Sequence, residues 1–150
     1  MSMLFLMLIM PSWPPGVAFA ARGELMRLDR EMAGVMDCYL EAVPEIPVAG
    51  DVPGLMLGTA LLRARSALGA CSWTAAVMPD VETRTAMKHY LCNCGRYLSG
   101  FSDLTAAYSM TTQPDSSLAS LLEDRLLDLD SAWVASGERL FGLLSEKGMQ

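Results

Sequence analysis

From Leu25 to Leu143 the apolar residues recur in steps of three and four. That spacing is the period of one helix face, whereas a half-buried strand needs alternation at every second residue, and no run here keeps alternation for long. Prolines and glycines cut the pattern into four stretches. The first carries Leu25, Leu28, Met32, Val35, Met36, Tyr39, Leu40 and Val43, and is closed by Pro44, Pro47, Gly50, Pro53 and Gly54. The second, from about Leu55 to Met78, carries Leu57, Leu61, Ala64, Leu68, Cys71, Ala75 and Met78. Its remaining faces are rich in Ala and Leu, which marks it as the most buried helix. The third follows Pro79-Asp80. Asp80 is placed to cap it through its carboxylate, and Glu82 suits the positive end of the helix dipole. Its stripe is Met87, Leu91, Cys94, Leu98, Phe101, Thr105 and Tyr108. Gly95 and Gly100 weaken it by ~1 kcal/mol each relative to Ala and invite a bend. After Thr111 to Pro114 comes the fourth, capped by Asp115, Ser116 or Ser117. Its stripe is Leu122, Leu126, Leu129, Trp133, Ser136, Leu140 and Leu143, and it is ~45 Å long if it reaches Glu146.

Four helical stretches in 150 residues fit one domain. Residues 21–150 are therefore expected to form one all-α, four-helix antiparallel up-down bundle, stapled by disulfides. The same stripes would serve a coiled-coil homodimer. The net charge is −6, and no charged residue precedes Arg22. An acidic domain lacks the electrostatic footprint for phosphate backbones, which argues against nucleic acid as a partner. The acidity is densest at Asp115, Glu123, Asp124, Asp128 and Asp130, broken by Arg125, and reads as a solvated helix face.

Residues 1–20 read as a signal peptide. Leu4 to Met10 is an uncharged apolar run, too short to span a bilayer. Pro11, Pro14, Pro15 and Gly16 follow, and then Ala18 and Ala20 form an A-x-A site with the cut after Ala20. The first residues, Met1-Ser2-Met3, lack the usual basic charge. The expected destination is the periplasm or the outside of the cell, with no membrane attachment after the cut. An uncleaved N-terminal anchor is the alternative.

Export gives the cysteines their meaning. Cys38, Cys71, Cys92 and Cys94 are an even set, which in an exported chain reads as two disulfides. Cys92 and Cys94 point about 200° apart on one helix and cannot pair with each other. By helix face, Cys71 pairs with Cys94 and Cys38 with Cys92. By height from the Pro79 turn, which sets Cys71 level with about Lys88, Cys71 pairs with Cys92 and Cys38 with Cys94. The height argument is preferred, because disulfides tolerate little Cα separation.

The alternative chemistry is metal or redox handling. His89, Cys92 and Cys94 form H-x-x-C-x-C with Met87 nearby, a donor set suited to Cu(I) or Zn(II). On a continuous helix, however, Cys94 points away from His89 and Cys92, and a closed zinc site wants four converging ligands. His89, among Lys88, Asn93 and Arg96, is expected on a polar face without the orienting partner a general base needs. The Met residues are expected as core filler. Trp133 is expected in the core. Trp73 lies off its helix's stripe and either packs under the first helix or lines a partner surface. Arg65 and Arg96 fall at similar heights and, with Arg63 and Arg84, would converge on an acidic ligand or pair with local carboxylates. No cofactor and no nucleophile motif is evident. The reading that results is a small exported, non-enzymatic binding module for a protein partner, with a surface at Trp73, Arg65 and Arg96. The alternatives are a metal or redox protein, or an enzyme with a dispersed site.

Overall fold

A computed structural model describes residues 15–42, 52–78, 80–110 and 116–147. The expectations that fall on Leu4–Met10, on Pro44–Gly50, on Pro79 and on Thr111–Asp115 lie outside them. The described residues form four α-helices and no strand: α1 (Pro15–Ala42), α2 (Val52–Cys71), α3 (Val81–Met110) and α4 (Ser116–Glu146), with a short 3-10 turn at Thr74–Val77.

The helices pack as α1 on α2, α2 on α3 and α3 on α4. Contacts along the α3–α4 pair run in opposite directions: Asp80 meets Lys147, Tyr90 meets Gly137, Tyr97 meets Asp130, and Asp103 meets Arg125. Along α2–α3, Leu68 meets Gly95 and Arg65 meets Ser102, again antiparallel. Asp29 meets Tyr90 and Tyr39 meets Phe101, so α1 runs parallel to α3. The direction therefore alternates from helix to helix.

The expected stripes supply most of the core. Leu25, Leu28, Met32, Val35 and Tyr39 of α1 are buried against Leu57, Leu61, Ala64 and Cys71 of α2. Leu40, counted on the α1 stripe, is instead 60% exposed. Helix α3 lies between two neighbours and is buried on two sides. Its expected stripe, with Met87, Cys94, Leu98 and Phe101 fully covered, reaches the α1–α2 side. A second stripe of Ala86, Tyr90, Asn93, Tyr97, Gly100 and Leu104, also in steps of four and three, is buried as well, and it faces α4 through Tyr90, Asn93, Tyr97 and Gly100. Gly100 has a packing role. It is a point of close approach, where an added Cβ would stand 2.7 Å from Cδ1 of Leu129.

The second helix differs from expectation at both ends: it begins at Val52, so Pro53 and Gly54 lie in its first turn and not in the connection. Nor does it run on to Met78: it ends at Cys71. The Ser72 hydroxyl donates to the Gly69 carbonyl at 2.8 Å, and the Thr74 hydroxyl to the Cys71 carbonyl at 2.6 Å. These short polar side chains bind the carbonyls of the last turn, and the chain continues as a 3-10 turn that keeps Thr74 and Ala75 buried.

The disulfide staples are absent. Cys38, Cys71, Cys92 and Cys94 are all free thiols. Cys92 is exposed, so the preferred Cys71–Cys92 pairing is lost to direction. The height reckoning assumed a continuous helix, and the break at Ser72 moves Cys71 along α3 from Lys88 toward Cys94. Cys71 and Cys94 are buried neighbours, close enough that ionising one disfavours ionising the other, but they are not bonded.

Candidate functional site

The residues proposed as metal ligands separate. Met87 and Cys94 are fully buried, while His89 and Cys92 lie on the exposed side of α3. Burial pushes the Cys94 thiol up to about 12 and the Cys71 thiol up to about 11, so both stay protonated at neutral pH. The nucleophile is the thiolate, and these two positions hold thiols. Among the described residues, no group of three or more His, Cys, Asp or Glu side chains is arranged to hold a metal ion. The His89 ring approaches the Asn93 amide at 3.4 Å, an amide that also donates to the Ala132 carbonyl at 3.2 Å. The neighbour of His89 is thus a helix-to-helix tie, not a carboxylate that would orient it for base catalysis.

The arginines do not converge. Arg63 pairs with Glu31 of α1 at 3.4 Å, Arg65 donates to the Ser102 hydroxyl, and Arg84 donates to the Met78 carbonyl at 3.3 Å. Arg96 is exposed. Arg65 and Arg96, expected level, are offset because α2 ends early: Arg65 meets α3 at Ser102, more than a turn beyond Arg96.

Trp73 is 38% exposed and sits in the α2–α3 connection. Ala76, Val77 and Val81 are exposed on the same connection. The backbone below them is fixed by the Ser72 and Thr74 bonds and by the Ala76 N–H donating to the Trp73 carbonyl at 3.1 Å. An indole and two valines are therefore presented to solvent on a tied-down corner of the bundle. Asp80 closes the corner as the expected N-cap, accepting from the Thr83 backbone N–H at 2.8 Å and the Thr83 hydroxyl at 2.9 Å. Lys147, from the end of α4, donates to Asp80 at 2.8 Å and to Thr83 at 3.0 Å, with Glu82 at 3.7 Å. Lys147 first, and then the Thr83 N–H, hold the Asp80 carboxyl down to about 2.

A feature the sequence reading missed is a set of tyrosines tied to carboxylates on other helices. Tyr97 donates to Asp130 at 2.8 Å, Tyr90 to Asp29 at 3.4 Å and Tyr39 to Glu123 at 3.5 Å. The rings form a core ladder: Tyr39 meets Phe101 edge-on, Phe101 meets Tyr97, and Tyr97 stacks on the half-buried Trp133. Burial raises the Tyr90 and Tyr97 hydroxyls far above their ordinary value, so they act as donors, not acids. Two members of the acidic run, Glu123 and Asp130, thus face inward as acceptors, while Asp124 and Asp128 are exposed.

Comparison with protein-family models, with curated proteins and with solved structures finds no match. Among the described residues, no helix is long and apolar enough to cross a membrane.

Proposed function

We propose that this chain is a small exported helical module that binds a protein partner through the corner at Trp73, Val77 and Val81, without catalysing a reaction. The observation that carries the reading is the exposed indole on a hydrogen-bonded turn. An aromatic anchor held in place before binding loses little conformational freedom on docking, and Trp is enriched where binding energy concentrates. This moves the surface from the Trp73, Arg65 and Arg96 grouping to Trp73 and its apolar neighbours, since Arg65 is engaged with Ser102.

Export is supported by the Ala18 and Ala20 site. Ala21 is fully buried and is the first core residue among those described, whereas Phe19 is 82% exposed. A cut after Ala20 removes no described core side chain. Burial keeps the Cys71 and Cys94 thiols protonated, which slows their oxidation in an oxidising compartment.

A photo-cross-linking residue at Val81 in the full chain tests the corner. A discrete adduct is expected, weakened by Trp73→Ala and absent when the probe replaces Leu127 on α4. Equal adducts at both positions would refute the surface. Mass spectrometry of the mature chain tests export: it should begin at Ala21, and a chain beginning at Met1 refutes the cut.

A further inference from the structure

The outer face of α1 carries three ladders of seven-residue spacing. The first is Met26, Ala33 and Leu40, with Met26 51% and Leu40 60% exposed. The second, one turn further round, is Arg30 and Asp37, both exposed. The third is Arg27, Gly34 and Glu41. Seven residues make two turns with a drift of only about 20°, so each ladder keeps to one strip of the helix. The middle of the face is small: Ala33 is exposed, and a Cβ added at Gly34 would meet nothing within 4 Å. Within these ladders the charges are sorted along the axis. Arg27 and Arg30 precede Ala33, and Asp37 and Glu41 follow it. Arg27 has only a long contact to Glu24, at 3.8 Å, and among the described residues Arg30 and Asp37 are in no ion pair.

We propose that this face pairs with the same face of a second copy of the chain, with the two α1 helices antiparallel and a two-fold axis at Ala33. The arrangement follows from the ladders. About that axis Met26 of each copy lies over Leu40 of the other, and Ala33 meets its own copy where the backbones come closest. On the flank, Arg30 faces Asp37 across the interface and Arg27 faces Glu41, each pair occurring twice. A parallel pairing would set Arg30 against Arg30 and Asp37 against Asp37, so the charge pattern selects the antiparallel one. Every residue used lies after Ala20, so the interface is the same with or without the leader. It is also separate from the Trp73 corner, and one surface can fail without the other. A single helix pair is a small interface, so the dimer is a weak one that salt loosens further.

Sedimentation equilibrium on the full chain tests it. The wild type is expected to dimerise reversibly, with the dissociation constant rising at least tenfold between low and high salt. Arg30→Asp and Asp37→Arg, each alone, place like charges across the axis and should each yield monomer with unchanged circular dichroism. Mixed in equal amounts they should dimerise, because each acidic position then meets a basic one. Ala33→Cys in a Cys92→Ser background should cross-link to itself, whereas Met26→Cys and Leu40→Cys in that background should cross-link only when mixed. A wild type that stays monomeric at millimolar concentration overturns the proposal. So does a dimer that Arg30→Asp leaves intact, or cross-linking of Met26→Cys to itself.

Discussion

Where α3 meets α4, the helices touch through hydroxyls, an amide and a glycine. Tyr97 reaches Asp130, Asn93 reaches the Ala132 carbonyl, and Gly100 lets Leu129 come in against the backbone. Where α1 meets α2, the buried residues are Leu25, Leu28, Met32 and Val35 with Leu57, Ala60, Ala64 and Ala67, and Arg63 pairs with Glu31 at the surface. Aliphatic contact is strong but nearly indifferent to sliding. A hydrogen bond to one carboxylate, or a glycine beneath one leucine, works in a single register. The α3–α4 hairpin is therefore specified by directional contacts and the α1–α2 hairpin by volume and pattern.

The largest break of that contrast is at Phe101, whose ring touches Tyr39 of α1 and Tyr97 of its own helix. Phe101→Ala should cost about 4 kcal/mol in urea unfolding, because it opens a cavity that both hairpins share. Gly100→Val should cost about 2 kcal/mol by forcing α3 and α4 apart. Gly100→Ala should cost much less, since Leu129 meets it with the tip of a flexible side chain and alanine favours the helix. Equal effects of Val and Ala would remove Gly100 from the list of register-setting residues. Tyr97→Phe keeps the stacking on Trp133 and deletes only the hydroxyl, so its cost should be about 1.5 kcal/mol.

Asp80→Ala should cost about 1 kcal/mol at neutral pH through the lost cap. The sign of its pH dependence is fixed by the direction of its shift. Its folded carboxyl is held down to about 2, below the ordinary 3.8, so its contribution is complete above pH 4 and is lost as pH falls through 2. Urea midpoints taken across that window should fall less steeply in Asp80→Ala than in the wild type. The smallest effect belongs to α1–α2: Arg63→Ala should stay within about 0.5 kcal/mol, the ordinary worth of an exposed pair. A cost like that of Tyr97→Phe would erase the contrast between the hairpins.

The four helices, the Asp80 cap and most of the α1 and α2 cores were legible in the sequence because apolar spacing alone decides them. The α4-facing stripe of α3 was not. It has the same four-three rhythm, but Asn93 and Gly100 stand in it, and a search for apolar residues passes over a buried amide and a glycine. The end of α2 was hidden for a related reason: Ala75 and Met78 continue the stripe in number, although the helix has already given way to a 3-10 turn, with the Ser72 and Thr74 hydroxyls on its last carbonyls. Cys71 and Cys94 share the core as their helix faces imply, but the thiols do not make the bonds that an exported chain implies. Trp73 was legible as a residue off its stripe, but its exposure depends on a helix end that spacing does not reveal.

The ammonium of Lys147 on Asp80 has a dynamic consequence. The α3–α4 hairpin is joined by the chain at one end, and Lys147 closes the other, where α3 begins and α4 stops. The end of a helix is ordinarily the first part to open. Here the last turn of α4 leaves by breaking its ion pair with the residue that caps α3. In hydrogen exchange, the amides around Leu143 to Lys147 and those around Thr83 to Met87 should open as one unit, and Lys147→Met should let the two ends exchange independently.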